Sequence, residues 1–88
     1  MNFYEDCYID KNIIKRTFKP MSDVDCPWHR DLEDRIIEVL RSGKGWKFQV
    51  DNELPVVLKN KMILSIPKKV FHRLIMGEEE LILKIILN

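Results

Sequence analysis

Ser65-Ile66-Pro67-Lys68-Lys69-Val70-Phe71-His72-Arg73-Leu74-Ile75 is the stretch that decides how this 88-residue chain folds. Pro67 stands between two apolar runs, shortly before His72. Proline cannot donate a ladder hydrogen bond, so it belongs at a strand end or edge. The stretch therefore reads as strand, tight corner, strand, with His72 on the second strand. Upstream, Trp28-His29-Arg30-Asp31 places a histidine and an aspartate at i and i+2. On a strand those two side chains share a face. A His-x-Asp pair and a distant histidine form a three-ligand set suited to a divalent metal.

The composition is that of a folded chain, with 45% hydrophobic and 33% charged residues, 3 Gly and 4 Pro. It predicts a single domain over residues 1–88 with one modest core. Fifteen basic and fourteen acidic side chains leave a net charge of +1. That balance gives no footprint for nucleic acid or an anionic membrane. The longest apolar runs are far shorter than a transmembrane helix. The N-terminal residues lack the basic and apolar regions of an export signal, and the two cysteines, Cys7 and Cys26, form no CxxC pair. A reducing, cytoplasmic location with both thiols free is the expectation, a Cys7–Cys26 disulfide being the lesser alternative.

Short runs rich in β-branched and aromatic residues alternate with turn signals, a pattern of all-β sandwiches and barrels. The predicted strands are Ile13–Phe18, Arg35–Leu40, Trp46–Val50, Val56–Leu58, Met62–Ile66, Phe71–Ile75 and Leu81–Leu87. Turns fall at Ser42-Gly43-Lys44-Gly45, at Asp51-Asn52 with Pro55, at Asn60-Lys61 and at Gly77-Glu78-Glu79-Glu80. The triple-glutamate run reads as a solvated hairpin turn. Trp46, Phe48 and Val50 share one parity, as do Met62, Leu64 and Ile66. In the last strand both parities are largely apolar, which predicts cover on both sides. Ile13 to Pro20 reads as an edge strand, its lysines and proline discouraging edge-to-edge pairing. One segment reads differently in isolation. From Asp31 to Gly43, Leu32, Ile36, Val39 and Leu40 have helical spacing, with acids early and a glycine that suits a C-cap.

From Trp28 onward the chain resembles the cupin superfamily of small double-stranded β-helix barrels. The family's second motif is a glycine-led turn, a short strand, then Pro-x-Gly-x-x-His. The segment from Asn60 to His72 follows that frame, with Asn60 in place of the leading glycine and Lys69 in place of the glycine of the proline turn. The first motif is His-x-His, then a glutamate, then a strand ending in a glycine turn. Here His29-Arg30-Asp31 takes the His-x-His position, Arg35 falls where the glutamate would be, and Val39-Leu40-Arg41-Ser42-Gly43 matches the strand end. The resemblance implies an all-β, jelly-roll barrel, with residues 1–27 as N-terminal strands and edge and 28–88 as the core. It also moves the second half of the 31–42 segment from helix to strand.

The resemblance implies a metal site formed by His29, Asp31 and His72 in the barrel mouth, taking Fe, Mn, Ni or Zn. Arg35 would orient Asp31 through a bidentate contact or receive a substrate carboxylate, and Lys47 and Arg73 are weaker candidates for that anion role. Glu33 and Asp34 stand as reserve ligands. Trp46 and Phe48 read as core. The functional expectation is a divalent-metal site that binds, and by extension transforms, a small polar or anionic molecule, in a homodimer. The alternative is a metal-free barrel serving as a protein-interaction or ligand-sensing module, which the departures at Asp31 and Arg35 favour.

Overall fold

The computed structural model describes residues 4–20 and 28–87. The strands run in the order β1 (Tyr4–Asp10), β2 (Ile13–Phe18), β3 (Arg35–Ser42), β4 (Lys47–Val50), β5 (Val56–Val57), β6 (Ile63–Ile66), β7 (His72–Ile75) and β8 (Leu81–Leu87). They form two antiparallel sheets. One has five strands in the order β1-β2-β8-β3-β6, and the other has three in the order β5-β4-β7. The chain changes sheet between β3 and β4, β5 and β6, β6 and β7, and β7 and β8. These crossings wrap the two sheets into a small jelly-roll barrel.

Alternation explains which side chains fill it. Ile14 and Phe18 of β2, Ile37 and Val39 of β3, Ile66 of β6 and Leu81, Leu83 and Ile85 of β8 point inward and are buried. Trp46, Phe48 and Leu58 meet them from the opposite side. Trp46 is fully buried, and its indole N–H donates to the Glu79 carbonyl at 3.2 Å, which satisfies the one polar atom it brings inside. Burying a side chain of this size contributes about 1.5–3 kcal/mol. Trp46 is therefore a core residue, as expected.

Several expectations need correction. No helix forms at 31–42, because Arg35–Ser42 pairs with β6 and with β8; alternation buries Ile37 and Val39 and leaves Leu40 outward, and a bulge then separates Val39 from Arg41. The helical spacing is a coincidence: Val39 faces inward, while Leu32 and Leu40 are exposed. One edge of the larger sheet is β1, which the sequence reading missed, and β2 lies inside it between β1 and β8. The core therefore draws on residues before 28. The outer face of β8 is half-buried rather than covered, with Ile82 and Ile86 shielded by strand neighbours. The Gly77–Glu80 turn is not a hairpin, since β7 and β8 belong to different sheets.

That turn packs on the 43–46 corner, where Gly43 N–H donates to Glu80 O and Glu78 N–H donates to Lys44 O. A Cβ on Gly77 would stand 2.4 Å from Trp46 N, so only glycine admits this approach. Cys7 is an exposed free thiol, and the Cys26 half of the alternative disulfide lies outside the described residues. No helix of the described residues is long and apolar enough to cross a membrane.

Candidate metal centre

The Pro67 corner positions the site. Lys69 has a φ of 64° and so adopts the left-handed conformation that the family's glycine would take. The Lys68 N–H donates to Asp34 Oδ1 at 2.8 Å, and the Lys69 N–H donates to Asp31 O at 2.7 Å. These bonds tie the corner to the segment that carries Asp31. At the other turn the left-handed residue is Lys61, with a φ of 72°, while Asn60 accepts a bond from the Ser42 N–H.

His29 lies opposite His72, each backbone N–H donating to the other's carbonyl, at 3.0 and 2.9 Å. Such a pair places both side chains on one face, and their rings meet edge-on with centroids 4.3 Å apart. Asp31, two residues on, joins the same face. One ligand atom from each of His29, Asp31 and His72 lies within 4.8 Å of the others. Donors to one ion with bonds of about 2.1 Å lie at most about 4.2 Å apart, so side-chain adjustments of a fraction of an ångström separate this set from a shared ion.

The protonation of His72 follows from its contacts. Its Nδ1 lies 2.9 Å from the Val70 carbonyl, which can only accept, so Nδ1 carries the proton. Burial pushes the imidazole pKa below its ordinary 6.5, with His29 and Arg35 adding to the effect and Val70 and Asp31 opposing it. The ring is therefore neutral near pH 7, and its lone pair is on Nε2, 3.3 Å from Asp31 Oδ2. The two atoms are close, yet misaligned for a hydrogen bond, and Oδ2 is buried with no hydrogen-bond partner. A buried carboxylate oxygen without a partner is costly. Two donors that converge without bonding each other, one of them on an imidazole whose other nitrogen is held by a carbonyl, are arranged as ligands of a common cation are. The donor set fits a divalent ion.

Arg35 reaches Asp31 Oδ1 through Nη2 at 3.5 Å, a single contact rather than the expected bidentate one. Its Nε and Nη2 both donate to Glu33 Oε1, at 3.1 and 2.9 Å. Glu33 is thus occupied as an anchor for Arg35, and Asp34 as the cap of the Pro67 corner. Lys47 and Arg73 point to the outer face of the smaller sheet and do not line the cavity. Arg73 stacks on Trp28 at 4.8 Å and donates to Gln49.

A cavity of about 330 Å³ opens on the three candidate ligands. It also receives Tyr4 and Arg16, which the sequence reading passed over. The signal was there: Arg16 shares its parity with Ile14 and Phe18, and a charge on the inward face of an alternating strand is unusual. Asp6 grips Arg16 through Nε and Nη2 at 2.7 and 2.9 Å, and the Tyr4 ring lies 4.1 Å from the guanidinium carbon. Burial opposes the Arg16 charge, but Asp6, Tyr4 and Asp31 outweigh it and hold its pKa above the ordinary value.

No protein-family model matches the chain, and no curated protein matches it in sequence. Solved structures do. A cupin-like protein from Thermotoga maritima aligns with a TM-score of 0.68 at 22% identity over 94% of this chain and 65% of its own. The chain has the cupin fold. KdgF from Halomonas sp. aligns with this barrel at a TM-score of 0.70 and 13% identity over 96% of this chain and 77% of its own. The DMSP lyase DddQ from Ruegeria pomeroyi gives a TM-score of 0.70 at 11% identity over 90% of this chain. The cupin barrel described here spans only 39% of that lyase's length.

Proposed function

We propose that His29, Asp31 and His72 hold one divalent ion, Fe, Mn, Ni or Zn, at which a small polar or anionic molecule binds and is transformed. The observation that carries this reading is the buried, unpartnered Oδ2 of Asp31 beside the unprotonated Nε2 of His72. Two imidazoles and one carboxylate suit Fe(II) and accept the other three ions. When bound, the ion supplies a Lewis acid to an oxygen of the ligand. Val70 O fixes the His72 tautomer, Arg35 turns Asp31 so that Oδ2 faces the imidazole, and Glu33 holds Arg35 in place. The apolar cavity wall keeps water from competing at the site. A lyase built on the same fold supports a small-molecule ligand.

The proposal includes a homodimer in a reducing, cytoplasmic compartment, supported by the exposed edge strand β1 and the exposed thiol of Cys7. One observation favours the second reading, a metal-free interaction or sensing module: Arg35 already gives Asp31 a charge partner. Metal analysis of protein purified without a histidine tag separates the two. The proposal expects stoichiometric ion and a melting temperature that rises with added metal, both lost in His72→Ala and Asp31→Ala. No ion, and unchanged melting with Fe(II), Mn(II), Ni(II) and Zn(II), would favour the metal-free module.

A further inference from the structure

Arg16 enters the barrel from β2 and takes no part in the donor set. A guanidinium carries five N–H donors. Asp6 takes the Nε and Nη2 edge, and among the described residues no acceptor meets Nη1. Donors are therefore left over on a cation that lines the same cavity as His29, Asp31 and His72. Most of the remaining wall is apolar, including Phe18, Phe48, Leu58, Leu64 and Leu83.

The charges around the cavity are two guanidiniums, Arg16 and Arg35, against three carboxylates, Asp6, Asp31 and Glu33. That set is one negative charge in excess while the imidazoles are neutral. A divalent ion reverses the excess to one positive charge, which a monoanion neutralises. The volume equals that of about eleven liquid waters, so the occupant has about that many non-hydrogen atoms. A polyol would strip its hydroxyls of water against an apolar wall, at a cost that few partners here offset.

We propose that the cavity takes a small monocarboxylate with an apolar body and a second oxygen at its far end, its carboxylate on Arg16 and that oxygen at the His29–Asp31–His72 cluster. This rests on the metal reading, because without the ion the surrounding charge repels an anion. Arg16 is a binding residue, and Asp6 is the carboxylate with which the ligand competes.

Calorimetry on the full chain tests it, with Mn(II) uptake measured first and 4-hydroxyphenylacetate and its amide then titrated into the loaded protein. The acid binds at least about tenfold more tightly than the amide, as a charge-assisted hydrogen bond requires. Arg16→Gln brings the acid down to the amide's affinity, and Asp6→Asn, which releases the occupied edge, tightens the acid. Chelator-treated protein loses the preference. Normal Mn(II) uptake with acid and amide binding alike, or neither binding, overturns this inference alone. Failure of Mn(II) uptake overturns the metal reading and this inference with it. Comparison of acid and amide on the unaltered chain keeps the result independent of any variant that folds poorly.

Discussion

Asp31→Asn should make the metal-free protein more stable while removing its response to metal. Asp31 is nine-tenths buried, and its Oδ2 has no hydrogen-bond partner. An unsatisfied buried polar atom costs about 1–3 kcal/mol, more when charged. The contact that the substitution weakens, Arg35 at 3.5 Å, is long, and Arg35 keeps its bonds to Glu33, so the loss costs about 0.5–1.5 kcal/mol. The difference leaves a gain of about 1 kcal/mol, or a melting temperature higher by about 4–8 °C for a domain of this size. In the unaltered protein an ion present at about a hundred times its Kd adds about 2.7 kcal/mol, which the variant loses with its carboxylate. Urea denaturation in chelator and in excess Mn(II) reads both effects. A variant that is destabilised by 1 kcal/mol or more in chelator would refute the reasoning, because it would mean that the carboxylate is already satisfied by His72 and Arg35.

Two further predictions follow from the same geometry. Burial lowers the His72 pKa below the 6.5 of the unfolded chain, so between those values the unfolded state binds the extra proton. The stability contributed by neutral His72 is complete above pH 6.5 and is lost as the pH falls toward the folded pKa. Denaturation midpoints in chelator should therefore decline below pH 6.5, and His72→Gln should flatten that decline; an unchanged slope would assign it to other groups. Lys69→Gly should raise the unfolding free energy by about 0.5–1 kcal/mol, read as a higher urea midpoint, because Lys69 is exposed and holds a left-handed φ of 64°. A lower midpoint would mean that the Lys69 side chain supports the corner.

Much of the barrel was legible because alternation carries it. Ile13–Phe18 and Leu81–Leu87 match β2 and β8 to the residue, since inward apolar side chains leave a period of two in the sequence. Tyr4–Asp10 was not legible: six of its seven residues are exposed, so no buried face marks it as a strand. The 31–42 segment misleads in isolation because apolar residues on both faces of the strand, Ile36 and Leu40 outward and Val39 inward, imitate a helical stripe. The resemblance put the strand where it is, on the glycine turn at 43.

At the site, the sequence named the three side chains that the structure brings together, because the Pro67 frame and the i, i+2 spacing both reflect backbone geometry. It misjudged the surrounding charges. Lys47 and Arg73, the weaker candidates for the anion role, face outward, whereas Arg16 faces inward from a strand taken for an edge. Which face a charge occupies depends on strand order, and strand order is not written in local pattern.

The most direct measurement is X-ray absorption at the metal edge of Zn(II)-loaded protein. Two imidazoles and a carboxylate oxygen should be bonded to a single ion, with nitrogen and oxygen distances of about 2.0–2.2 Å, and the imidazole signal should fall by half in His72→Gln. A spectrum with only oxygen neighbours, or one that His72→Gln leaves unchanged, would contradict the claim that His29, Asp31 and His72 share an ion.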